Sequence, residues 1–309
     1  MHWEYATAST VKRGVFLRWI AASVVLGIVV MLGLENISIV HMKPPAVHRH
    51  DMERVFDYYT LLTPPASGSL FHNEYNTTQL ECWIRQLRAH GVAPRNIHVL
   101  SAGTGALRNT RGEAIARRYG VDLVQRPLIV NEHTLEKFKY QFSKLWMFNQ
   151  SGYWVFLDTD LVFHQNPASC AAACARTLRR DHTSICAVAD VLMPVVKKTY
   201  MRWGENRYFN AGFFAAHGSE TLFRNLVQRM EQTASKTRIF AEQSFLNEFF
   251  EQSSSAPPAC NYRRMWYDLS RADASQIVIE HGKYGVDPHV PIPAICADLY
   301  DTSLLARTT

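Results

Sequence analysis

Several features are scarce in this chain, and each shortage excludes something. No dense stripe of lysine and arginine interleaved with aromatics is present, which argues against a nucleic-acid footprint. No internal repeat is found. Glycine-rich phosphate loops are missing too. Gly103-Thr104-Gly105 follows an apolar run, but it has neither a third glycine nor a lysine at loop spacing, so it reads as a turn. Between Trp19 and Leu34 there is no charged residue at all, so that segment has no polar face, which weighs against an ordinary core helix of the globular region.

What is present is ordinary globular composition: 309 residues, 47% hydrophobic and 19% charged, enough for one large domain or two small ones. The net charge is +6, and part of that excess sits at Lys12, Arg13 and Arg18. A helix over residues 15–34 would be about 30 Å long, sufficient to cross a bilayer with Arg18 snorkelling to the near surface. Basic residues before the span and Glu35 after it predict a cytoplasmic tail (1–14), a signal anchor (15–34) and everything later on the far side of the membrane. A cleaved signal peptide is the alternative, but the run is long and ends in no small-x-small site. Residues 35–53 carry Pro44 and Pro45 and read as a stem. Residues 301–309 form a C-terminal tail.

All six cysteines lie after the anchor, in a compartment that permits disulfides: Cys82, Cys170, Cys174, Cys186, Cys260 and Cys296. Their connectivity is not legible. A zinc site built from Cys170, Cys174, Cys186 and His182 is the competing reading. Sequons at Asn76 and Asn149 fit a lumenal domain.

The globular region, 54–300, alternates apolar strands with helices, which predicts crossovers and a parallel sheet. Strands are expected at 54–62, 96–100, 121–125, 153–157, 185–191, 208–215 and 276–280. Helices are expected at 78–90, 110–120, 134–150, 168–180, 219–232 and 241–250, the first two opened by the capping boxes Thr78–Glu81 and Thr110–Glu113. Residues 253–258 read as a flexible loop.

The chemistry concentrates at the strand Tyr153–Leu157, which runs into Asp158-Thr159-Asp160. Two carboxylates at the end of a buried strand repel each other and lose hydration unless a cation sits between them. Oxygen ligands select a hard divalent ion, and a metal at a strand's carboxyl end suggests a phosphate-bearing ligand. His281 ends another apolar strand, and because strand ends of a parallel sheet converge on one rim it is expected to complete the shell. Its nitrogen favours Mn²⁺, with Mg²⁺ possible. Asn210-Ala211-Gly212 interrupts an aromatic strand with small residues, where a ligand can approach the backbone. Glu242-Gln243 opens a helix with polar groups able to face a pocket.

In order, the runs Phe-Ser-Lys144-Leu, Tyr-Trp-Val-Phe-Leu-Asp-Thr-Asp, Ala-Val-Ala-Asp190, Tyr-Phe-Asn-Ala-Gly-Phe-Phe, Glu-Gln-Ser-Phe-Leu-Asn and Ile-Glu-His resemble glycosyltransferase family 8, the glycogenin-like and galactosyltransferase-like enzymes. The resemblance implies an α/β GT-A fold, a Rossmann-like mixed sheet in a single domain after the transmembrane helix. It also implies a UDP-sugar donor, Mn²⁺, and hexose transfer with retention of configuration to a glycan, protein or lipid. By position, Asp158, Asp160 and His281 resemble the metal ligands. Lys144, Thr159, Asp190, Asn210, Ala211 and Gly212 resemble donor contacts. Thr60, Leu62 and Thr63 lie in the segment resembling the uridine-holding strand end. Gln243 and Glu242 resemble the residues at the reacting face, although the family usually has aspartate where Glu242 stands. Lys283 stands where a diphosphate-touching lysine is expected. A Golgi or ER membrane location follows.

Two other readings remain. One is a catalytically silent, membrane-anchored binding protein of the same fold. The other is a metal-dependent nucleotidyltransferase, which should carry a Gly-rich basic loop where this chain has Pro64-Pro65-Ala66-Ser67.

Overall fold

The strand Tyr58–Leu62 (β1) is the hub of the sheet, and four of its five residues are buried. It pairs in parallel with Ile97–Ala102 (β2) on one side and Gly152–Leu157 (β4) on the other. Asp122–Arg126 (β3) adds in parallel to β2. Beyond β4 the direction changes. Phe209–Gly218 (β7) runs antiparallel to β4, and Ser184–Ala189 (β6) antiparallel to β7. Gln252–Ser255 (β8) closes the far edge in parallel with β6. The order is β3-β2-β1-β4-β7-β6-β8, a mixed sheet of seven strands among the described residues. A separate antiparallel pair joins Leu161–Phe163 (β5) to Ile279–His281 (β9).

This computed structural model describes residues 56–64, 70–105, 108–134, 136–178, 184–190, 208–233, 241–250, 252–262, 276–282 and 290–300. The expected anchor, the stem, His182, Lys283 and the C-terminal tail lie outside them. No helix among the described residues is long and apolar enough to cross a membrane.

Both faces of the sheet are covered, so its strands are apolar on both sides. Tyr58, Leu62, Val99, Val155, Leu157 and Phe213 face one core. That side holds the helices Leu70–Ala89 (α1), Thr110–Arg118 (α2) and Ala168–Thr177 (α3). Their alternating neighbours Tyr59, Leu100, Trp154, Phe156 and Phe214 face the other. There lie Glu220–Gln232 (α4), Ala241–Phe249 (α5) and the helix Glu136–Asn149. This last helix winds in the tighter 3-10 form, and its buried Phe142, Leu145 and Phe148 recur every third residue, as three residues per turn require. Gly152, at φ +84°, makes the left-handed turn from that helix into β4.

Several expectations change. The Thr78–Glu81 pattern lies inside α1, which starts at Leu70, so it caps nothing. At α2 the cap is Asn109, whose side chain accepts from the Gly112 N–H. Glu113 instead turns inward to bond Ser101 and pair with Arg108 and Arg117. The expected flexible loop at 253–258 overlaps the edge strand β8. The sheet is mixed, as the family resemblance implies, rather than parallel throughout, as strand–helix alternation alone predicts, because β7 returns against β4.

All six cysteines are paired, as Cys82–Cys296, Cys170–Cys260 and Cys174–Cys186. No thiolate is left for zinc, so the zinc reading fails. Cys82–Cys296 fixes the C-terminal turn Ala294–Leu299 to α1, and Cys170–Cys260 fixes the segment after β8 to α3.

Candidate metal and sugar-nucleotide site

β4 ends at Leu157, and the chain turns through Asp158-Thr159-Asp160 into β5. The turn is held from two sides. Asp158 N–H donates to the Gly212 carbonyl at 2.8 Å, and Gly282 N–H donates to the Asp160 carbonyl at 3.1 Å. His281 reaches the aspartates because β9 pairs with β5, with Leu161 opposite His281. Convergence of parallel strand ends, the expectation from sequence, is not the cause.

Ligand atoms of Asp158, Asp160 and His281 all lie within 4.8 Å of one another. His281 Nε2 stands 3.4 Å from Asp160 Oδ1. Lys144 is buried beside them, its Nζ 3.0 Å from Asp158 and 2.9 Å from Glu242, over the Phe156 ring. Burial opposes the Lys144 charge, but the facing carboxylates outweigh it and hold the ammonium above its ordinary range. Burial, together with repulsion from Asp160, pushes the Asp158 carboxyl up against the pull of Lys144. Two carboxylates and one imidazole whose ligand atoms lie this close form a donor set that fits a divalent cation such as Mn²⁺ or Mg²⁺.

A second network lies alongside. Asp190 is buried and accepts from Asn210 Nδ2 at 3.3 Å and Gln243 Nε2 at 3.0 Å. Gln243 Oε1 accepts from the Ala211 N–H at 3.0 Å. Asn247 on α5 clasps the Phe209 backbone from both sides, at 2.7 and 3.0 Å, which ties α5 to β7. A Cβ on Gly212 would meet His281 Cε1 at 2.4 Å, so the space it leaves is filled by imidazole.

The structure brings together Lys144, Asp158, Asp160, Asp190, Asn210, Ala211, Gly212, Glu242, Gln243 and His281. Thr159 lies half-buried between the aspartates. Thr60 and Leu62 are enclosed in the sheet and core, while Thr63 is half-buried at the strand end, its carbonyl 3.3 Å from Asn109 Nδ2. Sequence reasoning missed Asn261. It is buried, and its Oδ1 lies 3.0 Å from His281 Nδ1. Pro257-Pro258 and Cys260 immediately before it, a turn followed by a tether, were the available signal.

No family model and no curated protein sequence matches the chain. Solved structures do. A galactosyltransferase, LgtC, determined in complex with donor and acceptor sugar analogues, superposes with a TM-score of 0.52 at 16% identity, over 82% of this chain and 96% of that one. WbbM, a bifunctional glycosyltransferase in its apo form, gives a TM-score of 0.54 at 13% identity, over 82% of this chain and 52% of that longer one. At these identities the likeness establishes the fold: the chain has the mixed α/β fold found in these glycosyltransferases.

Proposed function

We propose that the protein is a metal-dependent retaining glycosyltransferase of the GT-A kind, similar to glycosyltransferase family 8, moving a hexose from a UDP-sugar to a glycan, protein or lipid. The observation that carries this reading is the Asp158–Asp160–His281 cluster, set at a strand end in that fold. Residues 15–34 and the three disulfides support a type II protein with its catalytic domain in the Golgi or ER lumen.

Asp158, Asp160 and His281 would hold Mn²⁺. Bound there, the ion supplies Lewis-acid stabilisation of a departing diphosphate. The chain's residues do the rest. Lys144 keeps Asp158 turned toward the site. Glu242 is engaged by Lys144, so its role is to orient that ammonium rather than to accept a proton. Gln243 is fixed at both ends of its amide, which leaves one Nε2 hydrogen for a donor oxygen near the reacting face. Asp190 and Asn210 hold that amide and the small-residue segment Ala211-Gly212 in register, and Thr159 and Thr63 border the donor space.

The test is hydrolysis and transfer from a panel of UDP-sugars, with and without Mn²⁺. Turnover with one sugar that requires the metal is the expected result. Metal-dependent UDP binding without turnover would favour a silent binding protein, and neither would reject the reading.

A further inference from the structure

A backbone N–H only donates, which makes it a fixed point for assigning side-chain amides whose oxygen and nitrogen otherwise look alike. Gly212 N–H lies 2.8 Å from one terminal atom of Asn210, so that atom is Oδ1. The other terminal atom is then Nδ2, and it faces Asp190, an acceptor, at 3.3 Å. Asn210 Oδ1 also sits 2.9 Å from one terminal atom of Asn261. An oxygen acceptor needs a donor there, so this atom is Asn261 Nδ2. Asn261 Oδ1 is left facing His281 Nδ1 at 3.0 Å. That oxygen only accepts, so Nδ1 carries the hydrogen.

The consequence falls on the other ring nitrogen. A neutral imidazole has one hydrogen, and with Nδ1 holding it, Nε2 presents a lone pair. Nε2 is the atom 3.4 Å from Asp160 Oδ1. A lone pair facing a carboxylate is repulsive until a cation lies between them, which is the arrangement of a poised ligand pair.

We infer that Asn261 is a positioning residue that commits His281 to the Nδ1–H tautomer and so reserves Nε2 for a divalent cation. The inference rests on the metal-site reading above. Asn261 is itself well anchored. Its N–H donates to the Pro258 carbonyl at 3.2 Å, the neighbouring Cys260 is tied to Cys170, and the Tyr262 carbonyl receives the His281 N–H at 2.6 Å. The ring is therefore held by its backbone and by Asn261 Oδ1, and it lies against the backbone of Gly212, where no Cβ intervenes.

The experiment uses the whole protein, with Asn261→Leu and Asn261→Asp. Leucine keeps the volume and removes the acceptor. Aspartate keeps an acceptor for Nδ1–H while losing the bond to Asn210. Mn²⁺ affinity is titrated by electron paramagnetic resonance, and the ring nitrogens of His281 are observed by NMR in metal-free protein, in the neutral form of the ring. The expected results are Nδ1 as the hydrogen-bearing nitrogen in wild type, a roughly 10- to 100-fold weaker Mn²⁺ affinity in Asn261→Leu, and recovery of that affinity in Asn261→Asp. Hydrogen on Nε2 in wild type overturns the inference, as does an equal loss in both variants or no loss in either. If wild type fails to bind Mn²⁺, the functional reading falls, while the ring-nitrogen measurement still decides the tautomer.

Discussion

The imidazole of His281 lies in the space where a side chain on Gly212 would be. A Cβ built there stands 2.4 Å from Cε1 and 2.7 Å from Nδ1 of the ring. β7 and β9 belong to different sheets, and this contact lets them approach closely enough for a ligand on one to complete the aspartate turn beside the other.

Gly212→Ala is therefore expected to fold and to displace His281. The methyl cannot be absorbed by a flexible chain end, because the ring is held at Nδ1 by Asn261. Mn²⁺ affinity should fall at least about tenfold, the scale seen when the support of a ligand is disturbed. A calorimetric titration checks this, with circular dichroism to confirm the fold.

Lys144→Met should destabilise the metal-free protein by about 3 kcal/mol, because Asp158 and Glu242 then face each other without their shared cation. Saturating Mn²⁺ should restore part of the loss by returning positive charge to Asp158. Urea denaturation with and without the metal measures both effects.

Glu113 gives a pH dependence of defined sign. Burial works against its charge, but the bonds from Arg108, Ser101 and Arg117 prevail and hold its carboxyl below the ordinary range. A depressed folded value means the contribution is complete above the unfolded carboxyl range and is lost as pH falls through the folded value. Wild type should therefore lose stability on acidification from about pH 5. Glu113→Gln should show a flatter profile over the same interval in denaturation series.

Cys82→Ser with Cys296→Ser should cost about 2–5 kcal/mol, because the bond closes a loop with a sequence separation of 214. Thermal unfolding of the oxidised protein against the double variant checks it.

The sequence was legible where one segment carries its own signal. The apolar run of β4 ending at Asp158, and the strand–helix alternation up to it, read directly because period and breaker residues are local. His281 does stand beside the aspartates, but not through converging strand ends: its approach depends on pairing between β5 and β9, which no local pattern encodes. Gly212 was singled out as a place for ligand approach, whereas its smallness serves an imidazole from a distant strand. The turn and cysteine before Asn261 mark the place but not its role, which is a hydrogen bond between residue pairs 20 and 51 positions apart. The misplaced start of α1 shows the converse, a capping pattern outweighed by the helix around it.

The central claim is that Asp158, Asp160 and His281 form a divalent-cation site that receives a nucleotide diphosphate. The most direct measurement is calorimetric binding of UDP to the wild-type protein and to Asp160→Asn, each with and without Mn²⁺. The account predicts UDP binding that requires Mn²⁺ in wild type and is lost in Asp160→Asn. UDP binding of equal strength without the metal, or unchanged in Asp160→Asn, would contradict it.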